Sequence, residues 1–127
     1  MIYTTYFAKL KTLPEDVVPI SICAKSPKWY NGLEYKKLAP SYSILMEYKE
    51  KGDEKTYIKR YENEILNKLD VYDVLRDLSN LVENLEPKDQ SCSVALVCFE
   101  KSSDFCHRHL VGKWLEENGF VVKEWNN

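Results

Sequence analysis

The amino-acid sequence predicts an α/β fold, a small three-layer sandwich in which helices flank a mostly parallel β-sheet. Segment Ser93–Phe99 is apolar almost without alternation, which is typical of a strand covered on both faces. Strand-like and helix-like segments also alternate along the chain, as they do around parallel sheets. A length of 127 residues suits one domain, and we expect residues 1–127 to form it.

The composition excludes several classes of protein. With 44% hydrophobic and 30% charged residues, the chain is not disordered throughout. Its net charge of −2 excludes a uniformly basic nucleic-acid coat, although a local basic patch remains compatible with it. No apolar run approaches the roughly 20 residues of a membrane span. No charged leader precedes an apolar stretch, so we expect a cytoplasmic protein whose four cysteines are reduced.

Two strand-like segments and two helical segments lie in the first half of the chain. Tyr3–Leu10 is a short apolar and aromatic run, which predicts a strand entering a turn. Val17–Ala24 predicts a second strand, and the turn formers that follow it predict a loop. A helix is expected from Ser41, capped by that residue or by Ser43, to about Gly52. A second helix is expected over residues 56–69, where apolar side chains recur at helical spacing.

The second half contains the clearest helix and the most apolar strand. Asp70–Leu85 carries one apolar stripe behind a residue that can cap the helix, and residues 86–90 then break it. The apolar strand Ser93–Phe99 follows. A helix is expected from about Asp104 to Asn118, and the glycine that comes next ends it. Phe120–Trp125 predicts a last strand.

The residues with the most chemical potential lie where this apolar strand passes into the last helix. In open α/β sheets, ligands bind beyond the carboxyl ends of the strands. Strand alternation places Cys98 and Glu100 on one side of the strand. At about 100° per residue, His107 points to the middle of the buried helix face, with Cys106 and Arg108 on its flanks. These directions predict that the five side chains converge on one site.

Each of these residues has a functional role and a structural alternative. Cys98 is a nucleophile or a small buried apolar group, and Cys106 is a thiolate-prone residue at a helix N-terminus or a packing residue. His107 is an acid or base, or a core histidine held by one backbone hydrogen bond. Glu100 is a general base or the partner of a lysine. Arg108 binds a phosphate or carboxylate in the cleft, or forms a surface ion pair.

The spacing of the residues tests particular chemistries. A phosphatase loop needs a cysteine five residues before an arginine, whereas Cys98 and Cys106 lie ten and two residues before Arg108. A zinc site is disfavoured because no Cys-x-x-Cys pair occurs, and because adjacent Cys106 and His107 would diverge on a helix. We therefore expect no metal. No phosphate-cradling glycine loop occurs and no cofactor is expected, but a Cys–His nucleophile pair remains open.

The segment from Leu96 to Leu110 resembles the DUF488 family of small uncharacterised α/β proteins. Its string LVCFEKSSDFCHRHL resembles the family's pattern of an apolar strand, Cys-x-Glu, a short loop and Cys-His-Arg at the start of a helix. Many members carry Asp-Val-Arg at the end of the second strand, where this chain has Ser21-Ile22-Cys23. The resemblance therefore suggests Lys25 or Lys28 as substitutes. It implies the fold and the position of the site, without an activity.

A second candidate surface is the basic and aromatic loop 25–37. It holds four lysines and one acid, a charge of +3 in a chain of −2, around three aromatic residues. The lysines are Lys25, Lys28, Lys36 and Lys37, and the aromatic residues are Trp29, Tyr30 and Tyr35. In one interpretation this loop binds nucleic acid, and in another its aromatic residues pin a solvated loop to the core.

These features predict two functions from different classes. The first is an enzyme or ligand-binding domain for a phosphorylated small molecule, a nucleotide or a nucleic-acid end. In it, Arg108 with Lys25 or Lys28 binds the anion, while Cys98, Glu100, Cys106 and His107 supply the chemistry. The alternative is a non-catalytic nucleic-acid- or protein-binding module that uses loop 25–37, with Trp29 as its stacking residue.

Overall fold

The computed structural model of the protein describes residues 1–85, 93–100 and 105–126. These residues form a five-stranded sheet with the order β3-β2-β4-β1-β5, and every neighbouring pair of strands is parallel. The strands are β1 (Ile2–Tyr6), β2 (Val17–Ser21), β3 (Leu33–Glu34), β4 (Ser93–Cys98) and β5 (Val122–Glu124). The α/β class and the parallel sheet are confirmed. The expected helix break at 86–90 and the expected helix start at Asp104 lie outside the described residues.

Within the described ranges, four α-helices connect and cover these strands: α1 (Tyr42–Lys51), α2 (Glu54–Glu64), α3 (Val71–Glu83) and α4 (His107–Glu117). The capping residues set their ends. The Ser41 hydroxyl accepts the Ile44 amide at the start of α1, and Gly52 ends that helix with a φ of 63°. The Asp70 carboxylate accepts two backbone amides at the start of α3. The expected caps of these two helices are confirmed.

The helices pack on one face of the sheet and a thinner layer covers the other. Apolar residues from all four helices join Ile20 and Leu96 of the central strands in the main core. On the opposite face, Ala95 and Val97 pack against the 3₁₀ helix Phe7–Thr12 and nearby aromatic residues. Both faces of β4 are thus covered, which explains its continuous apolar sequence.

Strand β4 lies between β2 and β1. The chain leaves β1 and β4 on opposite faces of the sheet. After β1 it enters the 3₁₀ helix on the thin side, whereas after β4 it enters α4 on the helical side. Strands that connect to opposite faces leave a crevice at their carboxyl ends, which is where ligands bind in such sheets. Cys98 ends β4 at this crevice.

Long-range contacts decide where the structure differs from the sequence expectations. The strand expected to Leu10 ends at Tyr6, and a 3₁₀ helix follows it. The helix expected over 56–69 ends at Glu64 and is followed by the 3₁₀ turn Leu66–Lys68. Strand β3 forms inside the expected loop because its two residues pair with Ile20 and Ser21. Among the described residues, no helix has the length and apolar composition needed to cross a bilayer.

Candidate functional site

A cleft of about 230 Å³ lies at the carboxyl end of β4, between the end of β2 and the start of α4. We call it the site cleft. Cys98, Glu100, Cys106 and His107 all line it, as does Lys25. The rest of its wall is mainly apolar and comes from the segment after β2, from α1 and the residue two before it, from α2, and from the residues between β4 and α4. These residues are Cys23, Ala24, Pro40, Leu45, Tyr48, Tyr57, Phe99 and Phe105.

Cys98 and Cys106 form a disulfide on the floor of the cleft, so the expectation that all four cysteines are reduced is wrong for this pair. Their Cα atoms are 7.4 Å apart. Both residues are buried, Cys98 at the end of β4 and Cys106 at the N-cap of α4. The Cys106 backbone is extended, with φ −156° and ψ 144°, so this residue precedes the helix instead of lying on it. Its side chain can therefore reach back to the strand.

The His107 imidazole lies beside these sulfur atoms and is held in one orientation. Its Nε2 atom is 2.7 Å from the Ile22 carbonyl oxygen. Since a carbonyl only accepts, Nε2 carries the proton, and Nδ1 of the neutral ring faces Cys106 Sγ at 3.9 Å. Burial lowers the pKa of His107 to about 4, outweighing the hydrogen bond to Ile22. The ring is neutral at pH 7, with an unprotonated nitrogen directed at the Cys106 sulfur. The ring edge also contacts Tyr61.

Arg108 differs from its expected position, because its guanidinium points away from the site cleft. The side chain has no exposed surface and forms an ion pair with Glu124 of β5, with Nη2 2.6 Å from Oε2. Nε donates to the other carboxylate oxygen at 3.2 Å. Nη1 donates to Cys98 Sγ at 3.1 Å and to the Glu100 carbonyl oxygen at 2.7 Å. Arg108 thus contacts the site through the Cys98 sulfur and does not line the cleft. The expectation that Arg108 binds an anion in the cleft is wrong, because its guanidinium is directed at Glu124.

Cys23 was not singled out by the sequence, yet it lines the site cleft. It follows β2 by two residues, and the carboxyl ends of parallel strands share one edge, which is the signal that identifies it. Its thiol donates towards the Val97 carbonyl oxygen over 3.9 Å. Burial, with a smaller contribution from the charge of Glu100, raises the pKa of Cys23 to about 11. The group is a neutral thiol at physiological pH.

The loop that follows β2 contributes one lysine to the cleft, and its other candidates lie elsewhere. Lys25 is exposed and lines the cleft, whereas Lys28 and Trp29 are exposed outside its lining. Lys36 donates to the carbonyl oxygens of Cys23 and Ala24 at 3.2 and 2.7 Å. It thereby fixes the segment that carries Lys25.

Two aromatic residues of loop 25–37 contact the body of the protein, and the third is exposed. The Tyr30 hydroxyl donates to the Leu33 carbonyl oxygen at 2.7 Å, and buried Tyr35 donates to Asp77 at 2.6 Å. Lys37 also pairs with Asp77, at 3.3 Å. These contacts pin most of the loop to the body of the protein. Trp29 remains 62% exposed, with its edge on Phe7.

A family model described as the active DUF488-N3 subclade matches residues 6–119. The chain belongs to the DUF488-N3a family. Searches of curated proteins and of solved structures find no significant match to this DUF488-N3a chain. The resemblance drawn from residues 96–110 is confirmed at the level of the family.

At the end of β2, this DUF488-N3a chain has Ser21-Ile22-Cys23 where many family members carry Asp-Val-Arg. In the structure the corresponding residues lie at the site cleft: Ile22 accepts the His107 hydrogen bond and Cys23 lines the wall. Lys25 is the nearby cation that reaches the cleft lining. Of the two substitutes suggested by the sequence, Lys25 has the suitable position.

Proposed function

We propose that the protein is an enzyme that binds and acts on a small anionic ligand in the site cleft. The ligand is of the class of phosphorylated small molecules, nucleotides or nucleic-acid ends. One observation carries the proposal: Cys98, Cys106 and a neutral imidazole converge on a single cleft that also has a lysine at its wall, and reduction of the two cysteines gives two thiols there. A cavity with convergent polar groups and a reactive cluster is the usual form of an active site.

Two features of the cleft favour an anion. Lys25 brings a positive charge to the wall. Helix α4 begins at the cleft with eleven residues and no side-chain cap, so the positive end of its dipole lies near a ligand bound there. Arg108 adds little here, because Glu124 balances its charge. We expect the anionic group near Lys25 and the start of α4.

The apolar wall favours a ring attached to that anion. Tyr48, Tyr57 and Phe105 contact one another with ring centroids 5.0–5.5 Å apart and together line one side. Aromatic faces of this kind accept a base or another flat ring. A volume of about 230 Å³ lies below the range of about 300–1,000 Å³ for pockets that hold drug-sized ligands. A mononucleotide-sized ligand with part of it in solvent fits these features.

The reactive groups are suited to nucleophilic or acid–base chemistry. With free thiols, Cys98 is the best placed nucleophile, because the N–H of Arg108 directed at its sulfur stabilises the thiolate. His107 Nδ1 and the Glu100 carboxylate are the groups that can accept or return a proton. The description of the family as active supports a catalytic role for this cluster.

Binding is tested with the reduced full chain, a mononucleotide, inorganic phosphate and the matching uncharged nucleoside. Calorimetry should show that the mononucleotide binds more tightly than the nucleoside. Lys25→Ala should lower the affinity for the mononucleotide about tenfold or more, as expected for loss of a charge-assisted hydrogen bond. Lys28→Ala is the matched control, since Lys28 is exposed outside the cleft lining, and it should leave the affinity unchanged. Equal affinity for the nucleoside and the mononucleotide would overturn the anionic assignment.

Catalysis is tested by following bound nucleotides and the masses of their products over time. Cys98→Ser and His107→Ala should lose turnover while circular dichroism shows an intact fold and calorimetry shows retained binding. Turnover that survives both substitutions would show that the cluster is not the reactive centre.

One observation favours the second candidate, a nucleic-acid- or protein-binding module built on loop 25–37. Trp29 is 62% exposed and lies next to exposed Lys28, and an exposed ring beside a cation is suited to stacking on a base. In that case Lys28→Ala and Trp29→Ala should weaken binding of a single-stranded oligonucleotide, with a strong salt dependence. Cys106→Ala and His107→Ala should then leave binding intact.

A further inference from the structure

Cys98, Cys106 and His107 are arranged like three ligands of one metal ion. Their sulfur and nitrogen atoms all lie within 4.8 Å of one another, and all three residues are buried. In a tetrahedral zinc site the bonds are about 2.0–2.3 Å long, which places neighbouring ligand atoms about 3.5–3.8 Å apart. In the reduced chain, rotation of the two cysteine side chains away from each other brings their sulfur atoms towards that spacing.

The backbone supports the same arrangement. The Cα atoms of Cys98 and Cys106 are 7.4 Å apart, beyond the range of about 4.4–6.8 Å that most disulfides span. Once the bond between them is reduced, this Cα separation allows the two sulfur atoms to turn apart and bind one ion between them. The sequence argument against a metal assumed that Cys106 and His107 diverge on a helix. That assumption is wrong, because Cys106 is extended and precedes α4.

The surroundings of the three groups match those of known metal ligands. A metal-bound histidine usually donates its other ring N–H to a carbonyl or carboxylate, which fixes the ring. His107 does this through Nε2 to the Ile22 carbonyl oxygen, leaving Nδ1 on the side of the sulfur atoms. Arg108 Nη1 donates to Cys98 Sγ at 3.1 Å, which stabilises a thiolate. Two thiolates and a divalent ion together carry no net charge, as burial requires.

We propose that, after a thiol reductant has converted their disulfide to two thiols, Cys98 and Cys106 bind one zinc-type divalent ion together with His107, with its fourth position open to the site cleft. Thiolate and imidazole together select zinc over hard ions such as magnesium or calcium. Three protein ligands with one open position characterise catalytic zinc sites, in contrast to closed structural ones. Glu100 lines the same cleft. With the ion bound, Cys98 is a metal ligand and no longer a free nucleophile.

The test uses the reduced full chain and metal ions alone, so its result does not depend on the identity of any anionic ligand. Zinc titration should reach one ion per chain. Cobalt as a substitute should give thiolate-to-metal charge-transfer absorption and the visible bands of tetrahedral coordination. Absence of binding when the thiols are shown to be free would overturn the proposal.

Substitutions then identify the ligands. Cys98→Ser, Cys106→Ser and His107→Ala should each weaken zinc binding by at least about 100-fold, since even outer partners of a metal site contribute 10–100-fold. Cys23→Ser and His109→Ala are matched controls, because Cys23 lines the same cleft and His109 is the other histidine of the chain. Zinc binding that survives in the first set, or that is lost in both controls, contradicts the assignment.

A measurement on the unaltered chain covers variants that fail to fold. Zinc should slow the alkylation of Cys98 and Cys106 by a maleimide, as read by peptide mass mapping, and a chelator should restore it. Equal labelling of these two residues with and without zinc would also overturn the proposal.

Discussion

Replacing Glu124 by alanine tests the buried ion pair that supports the site. The Arg108 guanidinium has no exposed surface, and Glu124 accepts from it at 2.6 and 3.2 Å. Without the carboxylate, the guanidinium keeps the Cys98 sulfur and the Glu100 carbonyl oxygen but has no opposite charge. Breaking a buried pair in this way destabilises a protein by about 3–5 kcal/mol.

We therefore expect Glu124→Ala to lower the free energy of unfolding by about 3–5 kcal/mol. For a chain of this size that corresponds to a fall in Tm of about 10–20 °C. Urea denaturation followed by circular dichroism measures the change. Glu64→Ala is the control: it removes an exposed i,i+4 pair with Arg60 of 2.7 Å, which should contribute only about 0.3–0.5 kcal/mol.

A second variant separates loss of charge balance from loss of packing. Arg108→Met with Glu124→Leu removes both charges and keeps apolar volume, so it should regain most of the lost stability. A Glu124→Ala protein within about 1 kcal/mol of the wild type would refute the reasoning, since an uncompensated buried guanidinium should cost more. A double variant less stable than Glu124→Ala would refute it as well.

Three further predictions concern stability. Gly52→Ala should cost about 1 kcal/mol in thermal unfolding, because Gly52 has a φ of 63° with open space around it and the cost comes from the backbone alone; an unchanged Tm would contradict this. Asp70→Ala should cost about 1 kcal/mol through loss of the α3 N-cap, measured by urea denaturation. The Tyr35 hydroxyl, followed by Lys37, holds the pKa of Asp77 below its ordinary 3.8, so its stabilisation is present above that value and is lost as the pH falls through the lower native pKa. Asp77→Asn should therefore flatten the acid side of the stability profile, and an unchanged slope would exclude this contribution.

Local signals explain why much of the fold could be predicted from the sequence. Ser41, Gly52 and Asp70 act on amides or carbonyls within a few residues, so their positions define the helix ends directly. The apolar strand β4 reports its own burial, since both of its faces are covered. In contrast, β3 exists through its pairing with β2, and no local pattern marks it.

The sequence predicted that the candidate residues lie together but did not predict their contacts. The strand-to-helix junction correctly brought Cys98, Cys106 and His107 to one place. The helical phase could not show that Cys106 is extended, because an N-cap residue lies outside the periodic pattern. It also could not pair Arg108 with Glu124, which lies sixteen residues further on and on another strand.

The hydrogen bond from His107 to the Ile22 carbonyl links the start of α4 to the segment that follows β2. Lys25 follows that carbonyl by three residues on the same short segment. A ligand that shifts Lys25 towards the cleft therefore also shifts the Ile22 carbonyl, which orients the His107 imidazole. Binding of an anion at Lys25 should therefore alter the affinity of His107 for a metal ion. By thermodynamic reciprocity, the metal ion should alter the affinity for the anion by the same factor.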